Sequence, residues 1–432
     1  MHRELFAQRR ESLFELLPEG SAVVLYAGHE LTRNNDVHYP FRQESYFWYY
    51  TGFPEPDAVA VLTKLNHKVH YRLYNMPRNP LRELWEGKII GQEGAVEHYG
   101  ASESLPLSEL GGLASFLADC RHVYTILGVS QHQDERASAL LREIHQLSGR
   151  GGAAISGLQD LRRLADEMRL YKSADELITM QIATDISVKG HLAAMQAAKE
   201  GKFEYHVQAA VEHAFREHGC HWSFPTIVAS GANACCLHYR ENNALLRAGD
   251  LLLVDAGAEY QYYAGDLTRT FPINGRFSYE QRTLYEAVLA AQEAAIAKAK
   301  VGVRHLEVHE ATTRALTQAL LDAKVIEHDM DYWLENDRYK AYYPHGTGHW
   351  LGMDVHDVGT YKVDGLSRTY EDNMVITIEP GVYIQLNDTQ FAEKWRGIGI
   401  RIEDDVRICS SGGKVLSSAL PKTAAEIEAY LS

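Results

Sequence analysis

LLLVDAGAEYQYYAGDLTRTF, residues 251–271, is the stretch from which this chain is best read. Leu251 to Val254 is a short apolar run and Thr268 to Phe271 its return, with a polar and aromatic tip between them. That is the pattern of a β-hairpin. A turn at Tyr260 and Gln261 sets Asp255 directly opposite Asp266, each equally far from the tip. Opposed side chains share one face, with Cβ atoms about 4.5–5.5 Å apart. Gly257 and Gly265 offer places for a bulge that shifts this register. Two bare carboxylates about 4 Å apart repel by about 4 kcal/mol at an effective dielectric of about 20. A shared proton or a cation relieves that repulsion.

Three further groups repeat the anomaly. Met374 to Ile378 is an apolar strand that breaks at Glu379-Pro380-Gly381. In GIGIRIEDD, Ile398, Ile400 and Ile402 alternate with Gly399, Arg401 and Glu403, so Arg401 and Glu403 share the face opposite the isoleucines. Arg401 either pairs with a neighbouring acid or meets substrate. His345 and His349 stand four apart in PHGTGHWLG. Gly346 and Gly348 disfavour the zinc-protease helix that such spacing suggests, and no glutamate follows His345, so both belong on a loop entering a strand. His356 lies in MDVHDVG and His238 in CLHYREN; spacing alone does not choose which of the four histidines binds metal. An apolar strand rarely carries an ionised carboxylate without a partner. No matching set of lysines and arginines lies on these segments, which points to metal ions as the missing positive charge.

The order D-x10-D, HGTGHWLGMDVHDVG, TIEPGVY, GIGIRIEDD resembles the pita-bread metallopeptidases. Within them it is most similar to the proline-specific aminopeptidases (the aminopeptidase P family), because YPFRQESYFWYYTGFPEPDA near the start matches that subgroup's N-terminal domain. The resemblance implies that Asp255, Asp266, His349, Glu379 and Glu403 hold two metal ions. Asp266 and Glu403 would bridge, Asp255 would hold one ion, and His349 with Glu379 the other. His238, His345 and His356 match outer-sphere or substrate-contacting histidines. Trp85, in LWEGKIIG, matches a tryptophan that relatives offer from a neighbouring subunit, and Asp36, in NNDVHYPFRQ, a residue near the substrate amino terminus. Tyr383 is expected to line the pocket and Arg401 to meet the substrate further along.

Four carboxylates balance two divalent cations, and a set of oxygens with one imidazole suits manganese, with cobalt or zinc as substitutes. The expected reaction is attack of a metal-bridging hydroxide on a peptide carbonyl, with Glu379 relaying the proton and His356 steadying the oxyanion. The substrate class that the resemblance implies is a peptide with proline second, from which the first residue is released. An imide has no N–H, so an apolar, aromatic wall is the natural way to select it. Prolidase, restricted to Xaa-Pro dipeptides, is the alternative on the same fold. A metal-free peptide-binding or histone-chaperone module is a third reading, disfavoured because such modules have lost ligands.

Length and composition agree. The 432 residues provide for two or three domains. The reading is an α/β domain over residues 1–171, with a substrate or oligomer role, and an α+β catalytic domain over residues 172–432 in which helices back a curved, mostly antiparallel sheet. Ser173 with Glu176 and Ser278 with Gln281 are capping pairs that open two long helices of that second domain. A formal charge of −15 argues against nucleic acid as a partner. Five cysteines fit a reducing compartment better than a disulfide framework. No apolar run is long enough to span a membrane, and MHRELFAQRRESLFELL is too charged for a signal peptide. A cytoplasmic homodimer or homotetramer is expected, since a tryptophan supplied across an interface needs a neighbour.

Overall fold

The computed structural model describes residues 3–148 and 155–432, and the chain divides into two compact units, Met1–Asp166 and Glu167–Ser432. The first is built on a six-stranded mixed sheet. Its strand order is Glu103–Pro106, Lys68–Asn75, Val59–Leu65, Ser21–Tyr26, His122–Thr125, Leu158–Asp160. Val59–Leu65 runs antiparallel to both neighbours and the remaining pairs are parallel, as an α/β layer requires. Lys68–Asn75 was hidden by its polar, exposed leading half. The first helix, Arg3–Leu16, buries Arg9 and Arg10 as well as Leu5, Phe6, Leu13 and Phe14. Their guanidiniums donate to the Tyr49 and Tyr50 carbonyls at 3.1 and 2.7 Å, which satisfies the end of the Ser45–Thr51 helix.

The second unit is assembled from two similar halves. Ala174–Ala197 packs on Glu204–Glu217, and Tyr279–Lys298 packs on His305–Asp322. The leading helix of each pair opens with the expected reciprocal cap, Ser173 with Glu176 and Ser278 with Gln281. Each ends on an alanine in nearly the same conformation: Ala198 at φ −72°, ψ 95°, and Ala299 at φ −73°, ψ 92°. The first helix has 24 residues and the second 20, a difference of about one turn. This repeat lies in backbone geometry rather than in residue identity, so the sequence alone did not reveal it.

Small antiparallel sheets follow each helix pair. Ile227–Ser230, Leu251–Ala256 and Leu267–Pro272 form one, and Val375–Ile378, Asp404–Cys409 and Gly412–Val415 another. Gly381–Ile384 pairs with Ile398–Arg401. A single bridge between Thr268 and Glu403 joins the halves. One face packs on the helices through Val254, Phe271, Leu284, Tyr285 and Ile402, all at most 1% exposed. Among the described residues no helix is long and apolar enough to cross a membrane, and all five cysteines are free.

The hairpin register departs from the expected one. The turn falls on Gln261 and Tyr262, both at positive φ (48° and 71°), so Asp255 lies opposite Thr268 and not Asp266. Two consecutive left-handed residues are what a two-residue hairpin needs, and no glycine marked them. Continuing the register sets Asp266 against Gly257, two places from Asp255. A shift of two preserves the face, so the carboxylates are diagonal neighbours on one side. Gly257 is obligatory: a Cβ there would lie 1.6 Å from the Gly265 carbonyl oxygen.

Candidate metal centre

A cleft of about 560 Å³ opens in the second unit. Asp255, Asp266, His349, Glu379 and Glu403 all line it, with His238, His345, His356 and Arg401. Asp255, Asp266 and Glu403 are 7%, 5% and 2% exposed. One ligand atom each from Asp266, His349 and Glu403 lies within 4.8 Å of the others. His349 Nε2 is 3.4 Å from Asp266 Oδ2 and 3.7 Å from Glu379 Oε1.

The tautomer of His349 follows from its other nitrogen. Nδ1 is 3.0 Å from the Trp350 carbonyl oxygen, which only accepts, so Nδ1 carries the proton. Nε2 then faces two carboxylates, and as the unprotonated nitrogen of a metal ligand it would present them a lone pair. Lone pairs facing lone pairs repel, and a cation between them turns the repulsion into coordination. The carboxyls tell the same story: burial, then the neighbouring acids, pushes Asp266 and Glu403 well above the usual carboxylate range. Asp255 Oδ1 is buried with no hydrogen-bond partner. These residues fit a divalent metal ion.

Each ligand is held by its strand. Gly348 lets the His345–His349 loop lie on the Val375–Ile378 strand, where a Cβ would meet the Thr377 carbonyl oxygen at 1.8 Å. The Glu379 N–H donates to the Thr347 carbonyl at 2.7 Å, and the His349 N–H to Thr377 Oγ1 at 3.1 Å. No helix runs through this loop, as its glycines predicted. Thr268, the true partner of Asp255, donates from Oγ1 to Glu403 at 2.6 Å and accepts from Arg401 Nε at 3.1 Å.

Arg401 supplies a positive charge that the balance of four carboxylates against two cations does not include. Its Nη2 donates to Asp255 Oδ2, so one of the four carboxylates is already balanced by protein. Of its two expected partners, acid and substrate, the structure provides the acid, while the side chain still borders the cleft. Tyr383, expected as a pocket wall, is 3% exposed and absent from the lining. Its hydroxyl instead accepts from Arg401 Nη1 at 3.0 Å and meets His345 Nε2 at 2.9 Å. His345 Nδ1 is 2.8 Å from the Gly346 carbonyl oxygen, and burial pushes the ring down to about 3, so it is neutral at ordinary pH. His356 packs edge-on against His349, with ring centroids 4.4 Å apart. His238 and His356 are both exposed at the mouth. Trp85 and Asp36 belong to the first unit and are exposed, Trp85 by 87%. Trp85 is therefore no core residue.

Several supporting groups escaped the sequence reading. In Glu403-Asp404-Asp405 the three acids point different ways. Asp404 binds Arg269, Ser417, Gln292 and Lys422 at 2.6–2.9 Å. Burial raises it, but Arg269 and Lys422 outweigh burial and hold it below the usual range. Asp405 accepts from Thr184 Oγ1 at 2.6 Å and from the Asp266 N–H at 3.2 Å, which orients the Asp266 ligand. Burial pushes it up to about 7. The signal was three acids in a row on an apolar strand, more than one metal centre uses.

Glu204, 0% exposed, is a second omission. Oε1 accepts from Ser230 N–H, Ser230 Oγ and Asn233 Nδ2, and Oε2 from Tyr239 Oη and the Ala244 N–H, at 2.7–3.1 Å. This carboxylate pins the segment that carries His238. Charge-assisted bonds contribute about 1.5–3 kcal/mol each. Glu204→Gln, which sets an amide N–H2 against donors, should lower the urea midpoint by an amount equal to at least about 2 kcal/mol, and fivefold weaker turnover should accompany it. An unchanged midpoint would remove Glu204 from this role.

His191, 0% exposed, supports the end of the Asp255 strand by donating from Nε2 to the Ala256 carbonyl at 3.1 Å. Burial, then Arg269, pushes it down to about 4. Its folded value lies below the unfolded one, so the unfolded chain binds the proton first. Stability is then full above about 6.5 and falls as pH drops toward 4, by at most about 3 kcal/mol. Urea unfolding between pH 7 and 4.5 should show this slope, and His191→Gln should flatten it.

These features define a class. The chain belongs to metallopeptidase family M24, whose model matches residues 179–409, and the aminopeptidase P N-terminal domain matches residues 6–124. It has the fold of that family, an α/β domain followed by the α+β pita-bread unit. Among relatives, the Xaa-Pro aminopeptidase of Escherichia coli is 40% identical over 99% of this chain and 98% of its own length. That of Haemophilus influenzae is 40% identical over 99% and 96%. Aminopeptidase PepP of Pseudomonas aeruginosa superposes with a TM-score of 0.97 at 43% identity, covering 100% of this chain and 98% of that one. Zinc-substituted E. coli aminopeptidase P in complex with product gives 0.96 at 40% identity, covering 100% and 98%.

Proposed function

We propose that this protein is an Xaa-Pro aminopeptidase that releases the first residue from peptides with proline in second position. The observation that carries the reading is the single cleft lined by Asp255, Asp266, His349, Glu379 and Glu403, with His349 Nε2 aimed at two acids. Full-length identity of 40% to Xaa-Pro aminopeptidases supports the substrate class.

In this reading those five residues hold two divalent ions, manganese first by donor type, with cobalt or zinc able to substitute. Such ions, when bound, polarise a carbonyl and lower the pKa of a water. The rest is done by side chains. Glu379 takes up a proton at its carboxylate and delivers it to the proline nitrogen, which has none of its own and must gain one to leave as an amine. His356 donates a hydrogen bond to the carbonyl oxygen as charge develops on it. His345, kept neutral and tied to Tyr383, fixes the Glu379 side of the cleft, where its Nδ1 lies 3.7 Å from Glu379 Oε2. Phe224, Pro225, Ile227 and Leu237 supply the apolar wall that a proline ring requires.

The test is hydrolysis of Ala-Pro-Ala and of Gly-Pro by manganese-loaded and metal-stripped protein. Metal-dependent cleavage of the tripeptide at Ala–Pro is expected. Cleavage of the dipeptide alone would make it a prolidase, and silence on both with metal bound would reject both.

We also propose a cytoplasmic homo-oligomer in which Trp85 serves a neighbour's site and Asp36 lies near the substrate amino terminus. Leu81, Leu84 and Trp85 share one face of the Pro80–Glu86 helix and are 78%, 78% and 87% exposed. Sedimentation should show two or four copies. Trp85→Ala should lower kcat/KM about tenfold without loss of metal, as expected of a hot-spot aromatic.

A further inference from the structure

Two arginines line the cleft, and they are in opposite situations. Arg401, 4% exposed, is committed to Asp255, Tyr383 and Thr268. Arg240 is exposed at the rim, and its guanidinium meets no carboxylate and no hydrogen-bond acceptor among the described residues. A free surface arginine is ordinary. This one is unusual because the backbone on both sides of it is locked. Tyr239 is 8% exposed, its hydroxyl tied to Glu204 at 2.9 Å and to Asn233 at 3.1 Å. Asn242, 3% exposed, accepts from the Val228 N–H at 3.0 Å and donates to the Thr226 carbonyl at 2.8 Å. Between the buried anchors Tyr239 and Asn242 the chain is exposed, and Arg240 lies there on the cleft lining.

A positive charge in this place is selective in a predictable sense. An aminopeptidase substrate brings its ammonium group toward the closed, acidic end of the cleft, and a guanidinium beside that group would repel it. At the open rim Arg240 instead meets the part of the peptide that leaves the cleft. The chain as a whole carries a formal charge of −15, which repels acidic peptides, so a local cation is what would admit them.

We infer that Arg240, held by the Glu204–Tyr239 and Asn242 anchors, recognises a carboxylate just beyond the proline and so favours substrates negatively charged at their third residue. This inference rests on the aminopeptidase reading and deepens it. The carboxylate has two sources, an acidic third side chain or the free C-terminus of a tripeptide, and both present the same anion to a guanidinium.

The experiment compares kcat/KM for three peptide amides, Ala-Pro-Glu, Ala-Pro-Gln and Ala-Pro-Lys, and for Ala-Pro-Gln as free acid. It uses the metal-loaded full chain, Arg240→Gln and Arg240→Glu. The parent should favour Glu over Gln amide by about three- to tenfold if the side chain is the ligand, or free acid over amide by the same factor if the terminus is. Arg240→Gln should bring the preferred ratio below about twofold, and Arg240→Glu should invert it toward lysine. The ratio should shrink in 1 M salt, where the Debye length falls to about 3 Å. Equal rates for all four peptides in the parent, or an undiminished ratio in Arg240→Gln, would overturn the inference and leave the aminopeptidase reading standing. Failure to cleave any of the four would overturn both.

Discussion

Glu379→Gln is expected to lower kcat by about two to four orders of magnitude with little change in KM, the size of a lost general acid–base step. Gln has nearly the same shape and keeps one carbonyl oxygen, so the Glu379 N–H bond to Thr347 and the turn at Pro380 should survive. What it loses is proton affinity. Burial pushes the Glu379 carboxyl above its usual range while His349 and Arg401 pull it back, so the side chain holds a proton more readily than an exposed glutamate. Metal content and kcat should be measured together. Full activity with both ions retained would reject the proton-relay role. Lost activity with lost metal would make Glu379 a ligand only.

Asp266→Asn should do two things of opposite sign. In the metal-loaded protein it should abolish turnover and weaken metal binding, because Asp266 faces both His349 and Glu403. In the metal-stripped protein it should raise the thermal midpoint at neutral pH. There Asp266 is disfavoured as an anion by burial, then by Asp255 and Asp405, and the neutral amide removes that repulsion. Each kcal/mol relieved is worth about 2–4 °C in a unit of this size.

The pH dependence has a definite sign. Asp266, Glu403 and Asp405 all have raised folded values, so their contribution to stability is present at low pH and lost as pH rises through those values. Asp405 places part of this loss near 7. His191 has the opposite slope, confined below about 6.5. The stripped protein should therefore lose stability between pH 6.5 and 8, and saturating metal should restore it, by about 2.7 kcal/mol per site at a hundred times Kd. A stripped protein equally stable at both pH values, or a destabilised stripped Asp266→Asn, would contradict this electrostatic account.

Much of the site was readable because charge on an apolar strand is costly enough to need a reason. That argument alone singled out Asp255, Asp266, Glu379 and Glu403. It also explains what went unread. Asp404, Asp405 and Glu204 are as buried as the cleft acids, but their partners are Arg269, Thr184 and Tyr239, distant in sequence. A carboxylate does not announce whether its partner is a metal, a guanidinium or a set of N–H groups. Arg401 was undecided for the same reason, and Tyr383 was misplaced because glycine-rich turns do not state which way a following strand faces.

The sequence by itself determined the elements: strands from alternation, helix starts from Ser173 and Ser278, a loop rather than a helix at His345–His349 from its glycines. These are local, set by neighbours within a few residues. Only the tertiary structure decided the pairings. The hairpin slid by two residues at Gln261–Tyr262 yet kept its face, because a side-chain period of two makes even shifts neutral. It decided, too, that Arg401 answers Asp255 and that the Arg240 guanidinium meets no carboxylate among the described residues, since Coulomb energies depend on distances through space that chain order does not contain.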